Sequence, residues 1–206
     1  MRHFDHHQLL LASHNQGKLH EFRHALTDLN VDIVSASEHN LPEPEETGDS
    51  FFANAQLKAK AAMDQTGLPA LADDSGLSVE GLDGAPGIFS ARWAGPNKDF
   101  TVAFDRIAHD LSAKDIPPEG AKAAFICVLV LTWPDGEEMS AEGRVLGNLT
   151  FPPRGQGGFG YDPIFIPQGE ERSFAEMARE EKAKYSHRHR ALEALRPLMI
   201  KKSHHS

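Results

Sequence analysis

Cysteine is nearly absent from this sequence. The single Cys127 lies inside an apolar run, which excludes a scaffold stapled by disulfides. No apolar stretch is long enough to span a bilayer, so a membrane-crossing helix is excluded and no membrane partner is expected. Positive charge is in deficit, with Lys and Arg totalling 21 against 30 Asp and Glu, for a formal net charge of −9. That balance excludes a protein devoted to the nucleic-acid backbone, which calls for a basic face. An anionic small molecule would need locally placed cations or a metal. Internal repeats, low-complexity tracts and linkers are also missing. Met1 to Gln8 is rich in His and lacks the basic-then-apolar order of a secretory signal, which together with the lone cysteine points to the cytoplasm.

What remains is ordinary for a soluble globular chain: 40% hydrophobic and 25% charged residues. Its 206 residues suit one domain, or two tightly joined lobes, over residues 1–206, with 1–8 and 201–206 expected as flexible ends. Leu9-Leu10-Leu11-Ala12 predicts a strand that gives way at Ser13 to Gly17 to a helix with Leu19, Phe22, Leu26 and Leu29 at helical spacing. A second helix is predicted from Ser50 to Met63, stopped by Gly67-Leu68-Pro69, followed by a buried strand Ala70-Leu71-Ala72. Ala123 to Thr132 reads as a central strand, and Asp135-Gly136 as the turn into a strand from Met139 to Val145. Asp110 to Gly120, with Pro117-Pro118, reads as a surface excursion, and Ser173 to Lys184 and Ser186 to Leu198 read as helices. Mixed strands with flanking helices predict an α/β fold.

Ser13-His14-Asn15-Gln16-Gly17-Lys18 sits where a strand enters a helix, so backbone N–H groups, the helix dipole and an ammonium converge there. Phosphate is the natural guest. It is not a Walker loop, because Ala12 stands where the first glycine belongs and Leu19 follows the lysine. Asn54 and Lys58 lie one turn apart and share a helix face. Asp73-Asp74-Ser75-Gly76 places adjacent carboxylates after an apolar strand, and Glu45-Glu46-Thr47-Gly48 adds an acidic loop. Such oxygens suit Mg²⁺, which takes few protein ligands and completes its shell with phosphate and water. Gly157-Gly158-Phe159-Gly160-Tyr161-Asp162 joins a glycine loop to aromatic rings and a carboxylate, and Phe159 could stack on a base. Glu181-Lys182 and Ser186-His187-Arg188 add cations and a titratable ring.

Taken in order, and together with Gly84-Ala85-Pro86-Gly87, these motifs closely resemble the inosine triphosphate pyrophosphatase family over nearly the whole chain. The resemblance implies a two-lobed α/β fold with a long central mixed sheet flanked by helices, a nucleotide cleft between the lobes, and a homodimer. It also implies hydrolysis of ITP, dITP and XTP to monophosphate and pyrophosphate. Carried onto this chain, Ser13, His14, Asn15, Gln16, Gly17 and Lys18 would hold the triphosphate with Asn54 and Lys58. Glu46 and Asp74 would serve Mg²⁺, Asp74 would also be the base, and Ser75 would touch substrate. Phe159, Gly160, Tyr161, Asp162, Lys182, His187 and Arg188 would form the base pocket.

Two rivals compete. His20-Glu21-Phe22-Arg23-His24 fits the zinc-peptidase pattern H-E-x-x-H, but a helical wheel puts both histidines nearly opposite the stripe of Leu19, Phe22 and Leu26. A non-catalytic nucleotide-binding module would need no metal carboxylates, and Glu46 with Asp73-Asp74 argues against it.

Overall fold

The computed structural model describes residues 4–27 and 31–199. Leu29 and the tail Lys201 to Ser206 therefore lie outside the described residues. Leu9, Leu10 and Leu11 are all fully buried, as the apolar run requires, and form β1 (Gln8–Leu11). The helix α1 (Gln16–Ala25) starts at Asn15, whose side chain accepts from the Lys18 N–H at 3.1 Å. Leu19 and Phe22 face inward from it, and Leu26, just past its end, is also buried. The short strand β2 (Asp32–Ser35) pairs with β1 in parallel and has no clear signal in the sequence.

Ser50 caps α2 (Phe51–Thr66) by accepting from Ala53, and Gly67 ends it at φ 68°, in the left-handed region that glycine adopts without strain. The next strand, β3 (Ala70–Val79), does not stop at Ala72 but carries Asp73 and Asp74 within it. Past it come α3 (Ser90–Trp93) and α4 (Phe100–Ser112). Asp99 caps α4 by accepting from Thr101, and Ala103, Phe104, Ile107 and Leu111 line its buried stripe. The expected excursion at Asp110 therefore begins inside a helix.

The apolar run is β4 (Lys122–Thr132), followed through the Asp135-Gly136 turn by β5 (Glu138–Leu149) and then β6 (Phe165–Pro167). Ser173 to Lys184 is not one helix. Ser173 and Glu176 form a reciprocal cap on a single turn, with Phe174 and Met177 buried, and Met177 and Ala178 are extended. Only then does α5 (Arg179–Tyr185) begin, followed by α6 (His187–Met199), where Ser186 accepts from the His189 N–H.

The six strands form one mixed sheet in the order β2-β1-β3-β4-β5-β6, parallel between β1 and both β2 and β3, antiparallel between β5 and β6. The chain divides into two compact units, one of Met1–Asp74, Val128–Gly143 and Arg190–Ser206, the other of Ser75–Cys127 and Arg144–His189. In the first, Leu10, Ala62, Met63 and Ala70 pack α2 beside β1 and β3. Of its amino-terminal segment, Phe4 donates its N–H to the Met199 carbonyl and sets its ring 6.3 Å from Trp133. In the second, α4 residues meet Leu77, Val79, Phe125, Phe165 and Phe174. Among the described residues, no helix is long and apolar enough to cross a membrane.

Candidate active site

In the first unit, charged side chains from β3, α1, α2 and the Glu45–Gly48 loop meet. Alternation along β3 sends its two adjacent aspartates to different partners. Asp73, 2% exposed, holds the Lys18 ammonium with both oxygens at 2.8 Å. Asp74 receives the Asn54 amide N–H on Oδ2 at 3.2 Å and faces Lys58 Nζ through Oδ1 at 3.5 Å. Lys58 also reaches Glu46 Oε1 at 2.5 Å, so one ammonium is shared by a loop carboxylate and a strand carboxylate.

Burial is the main influence on Asp74 and raises its pKa above the usual 3.8, helped by the charges of Glu46 and Asp73. Lys58 and the Asn54 hydrogen bond oppose it. Burial works the other way on Lys58, disfavouring its ammonium, but Asp74, Asp73 and Glu46 together hold its pKa above the usual value. The lysine is thus a fixed cation. Two carboxylates aimed at one positive charge are a donor set that fits Mg²⁺, which needs only one or two protein carboxylates when phosphate supplies the rest. Among the described residues, no three His, Cys, Asp or Glu side chains gather as a metal cage.

The remaining residues of the expected phosphate loop are arranged around the start of α1. Ser13 Oγ accepts from the Asn15 N–H at 3.2 Å, His14 Nε2 lies 2.7 Å from the Leu41 carbonyl, and Gln16 and Gly17 form the first turn. Asn15 uses its side-chain oxygen as the cap. Asn54, expected to reach a ligand from the face it shares with Lys58, is fully buried between Gly48 and Asp74. His20 and His24 are both exposed on α1, as the wheel requires.

In the second unit, the glycine loop brings Phe159 to the surface, 60% exposed, while Asp162 beneath it is buried. Asp162 Oδ2 accepts from the Phe159 N–H at 2.8 Å and is ion-paired with Lys182, whose ammonium lies over the Phe159 ring, 4.4 Å from its centre. Burial raises the Asp162 pKa, against Lys182, the Phe159 N–H and Arg188. Phe174, absent from the sequence expectations, supports the same ammonium at 5.5 Å. His187 stacks on Phe125 with ring centres 4.9 Å apart and planes 10° apart, and Arg188 is buried beside it in sequence.

Tyr161 is 3% exposed. Its ring meets Phe100 edge-on at 5.2 Å, and its hydroxyl donates to the Ser90 carbonyl. Ser90 in turn donates to the Gly87 carbonyl and accepts from the Leu77 N–H, so the Gly84–Gly87 motif anchors the tyrosine that supports the loop. Gly160 continues that loop, and Ser75, half-buried, follows Asp74 directly on β3.

Comparison with known proteins shows relatives along nearly the whole chain. The model of the Ham1 family matches residues 9–198. The dITP/XTP pyrophosphatase of Ruegeria pomeroyi is 53% identical over 194 residues, covering 93% of this chain and 95% of its own. That of Zymomonas mobilis is 53% identical over 189 residues, covering 91% and 90%. Among solved structures, a HAM1 protein from Coxiella burnetii superposes with a TM-score of 0.87 at 40% identity, covering 93% of this chain and 98% of its own. A nucleoside-triphosphatase, dITP/XTP pyrophosphatase, from Mycobacterium abscessus gives 0.76 at 45% identity, covering 92% and 99%. With a family model matched from residue 9 to 198 and a fold shared over nine-tenths of its length, the chain belongs to the Ham1 family.

Proposed function

We propose that this chain is a nucleoside triphosphate pyrophosphatase that clears deaminated purine nucleotides, dITP, ITP and XTP, releasing monophosphate and pyrophosphate. The observation that carries the reading is the Glu46–Lys58–Asp74 arrangement, two carboxylates aimed at one cation position, in a chain half-identical to named dITP/XTP pyrophosphatases. Lys18, Lys58 and the N–H groups opening α1 bind the triphosphate oxygens. Glu46 and Asp74 would hold Mg²⁺, which when bound would supply charge neutralisation on the phosphates. Asp74 Oδ1 takes the proton of a water attacking the α-phosphorus. A P–O bond forms there, the α–β bridging P–O bond breaks, and pyrophosphate leaves with the electron pair.

Phe159 stacks on the purine, and the donors of Lys182 and Arg188 favour a base with a 6-oxo acceptor over adenine. The reading includes a cytoplasmic homodimer that binds neither nucleic acid nor membrane. A panel of dITP, ITP, XTP, ATP and GTP with Mg²⁺, separating pyrophosphate from phosphate, tests the assignment. Release of orthophosphate, or equal use of ATP, would sink it. Removing the stacking ring by Phe159→Ala costs about 1–3 kcal/mol of binding in ground and transition states alike, so KM for dITP rises with kcat little changed. An unchanged KM in steady-state kinetics would take Phe159 out of the pocket.

A further inference from the structure

Asn54 is a polar side chain with no exposed surface, on the first turns of α2, and both ends of its amide are engaged. The Gly48 N–H, 2.8 Å away, can only donate, so the amide oxygen must face it. The amide nitrogen is thereby turned towards Asp74 Oδ2, and the carboxylate is held by the oxygen that does not face Lys58.

A second observation shows how tightly this bridge is built. A Cβ added at Gly48 would stand 2.7 Å from the Asn54 side-chain oxygen, 2.8 Å from the Ala53 Cβ and 2.9 Å from the Asn54 backbone nitrogen. The loop carrying Glu46 thus lies directly on the head of α2, two residues beyond that carboxylate. One amide therefore ties the Glu46 loop to Asp74, and Glu46 and Asp74 are the carboxylates that share Lys58.

We infer that Asn54 is a positioning residue that fixes the rotation of the Asp74 carboxylate and the place of the Glu46 loop together, and does not itself touch substrate. This rests on Asp74 and Glu46 being base and metal ligands. Partners of this kind, one step behind the ligands, change metal affinity or activity by about 10–100-fold when removed.

Asn54→Ala removes both hydrogen bonds, and Asn54→Ser does so while leaving a hydroxyl that can keep the pocket polar; the second decides the matter if the first does not fold. Each is measured in two ways at a temperature well below its melting point: dITP kinetics at saturating Mg²⁺, and Mn²⁺ affinity by electron paramagnetic resonance without nucleotide. The expected result is kcat lower by about 10–100-fold with KM little changed, and Mn²⁺ binding at least about tenfold weaker. Wild-type kcat and Mn²⁺ affinity, whatever the melting temperature, would reduce Asn54 to a structural residue and overturn the inference. A steep rise in KM at constant kcat would overturn it too, by making Asn54 a substrate contact. Failure of the wild-type protein to hydrolyse dITP would instead sink the proposed function, and the Mn²⁺ arm would still decide the role of Asn54.

Discussion

Asp74→Asn is expected to lower kcat for dITP by at least about a hundredfold while weakening nucleotide binding far less, the usual scale of a lost general base. That is about 2.7 kcal/mol of transition-state stabilisation. The substitution keeps the size of the side chain and an oxygen for the Asn54 N–H to meet, but removes the basic charge facing Lys58. Lys58 keeps Glu46 at 2.5 Å, so the ammonium is not stranded. Rapid-quench kinetics of the purified variant checks the result, and a KM that rose as steeply as kcat fell would mean that Asp74 serves binding, not proton transfer.

The same variant has an opposite effect on stability. The Asp74 pKa is raised above 3.8 in the folded chain, chiefly by burial, so the native state holds that proton more tightly than the unfolded chain does. Below the unfolded value the carboxyl is protonated in both states and contributes nothing. As pH climbs from there through the raised folded value, the unfolded chain ionises first and stability falls; above it the full loss persists. Asp74→Asn in EDTA should therefore raise the melting temperature more at about pH 8 than at about pH 4. Calorimetry at both pH values measures this, and a gain confined to the acid side would contradict the burial argument. If Asp74 is the base of the proposed reaction, catalysis and stability pull this residue in opposite directions, as they do where a charge is kept buried for its chemistry.

How far the sequence reaches is clearest at α2 and β4. Ser50 and Gly67 bound the helix through a side-chain cap and a left-handed φ, both local devices that a reader of the sequence can see. The run Phe125 to Leu131 is apolar at every position, and so is buried in the strand it forms. The individual site motifs were legible as well, because each is contiguous. What joins them was not. Lys18 and Asp73 are 55 residues apart, and no periodicity links an ammonium on one helix to a carboxylate on a strand. The shared face of Asn54 and Lys58 was visible from their spacing, but whether that face looked at a ligand or at Gly48 and Asp74 depends on how α2 packs. The predicted strand stops at Ala72 because charge in a strand interior is rare, and Lys18, Lys58 and Asn54 help make it tolerable there. In α4 the signal is present, in Ala103, Phe104, Ile107 and Leu111, although the nearby Pro117-Pro118 reads as a surface excursion.

Gly158→Ala is expected to be more damaging than Gly160→Ala, although both glycines have positive φ, 70° and 63°. The shared backbone strain of an L residue in that region is about 1–2 kcal/mol and should appear in both variants. Only at Gly158 does the new methyl also meet an obstacle: its Cβ would stand 2.1 Å from Asp162 Oδ2 and 2.9 Å from Asp162 Cγ, whereas at Gly160 the nearest atoms are Phe100 ring carbons at 3.7 and 3.8 Å. Asp162 is 2% exposed and cannot swing into water without breaking its bond from the Phe159 N–H and its ion pair with Lys182. Breaking a buried pair costs about 3–5 kcal/mol. Gly158→Ala should therefore lose several kcal/mol more than Gly160→Ala in urea denaturation. Lys182 would lose the carboxylate that holds it over the Phe159 ring, so the folded fraction should also show a raised KM for dITP. Equal losses in the two variants would mean that Asp162 yields easily, and that its ion pair with Lys182 is not what shapes this pocket.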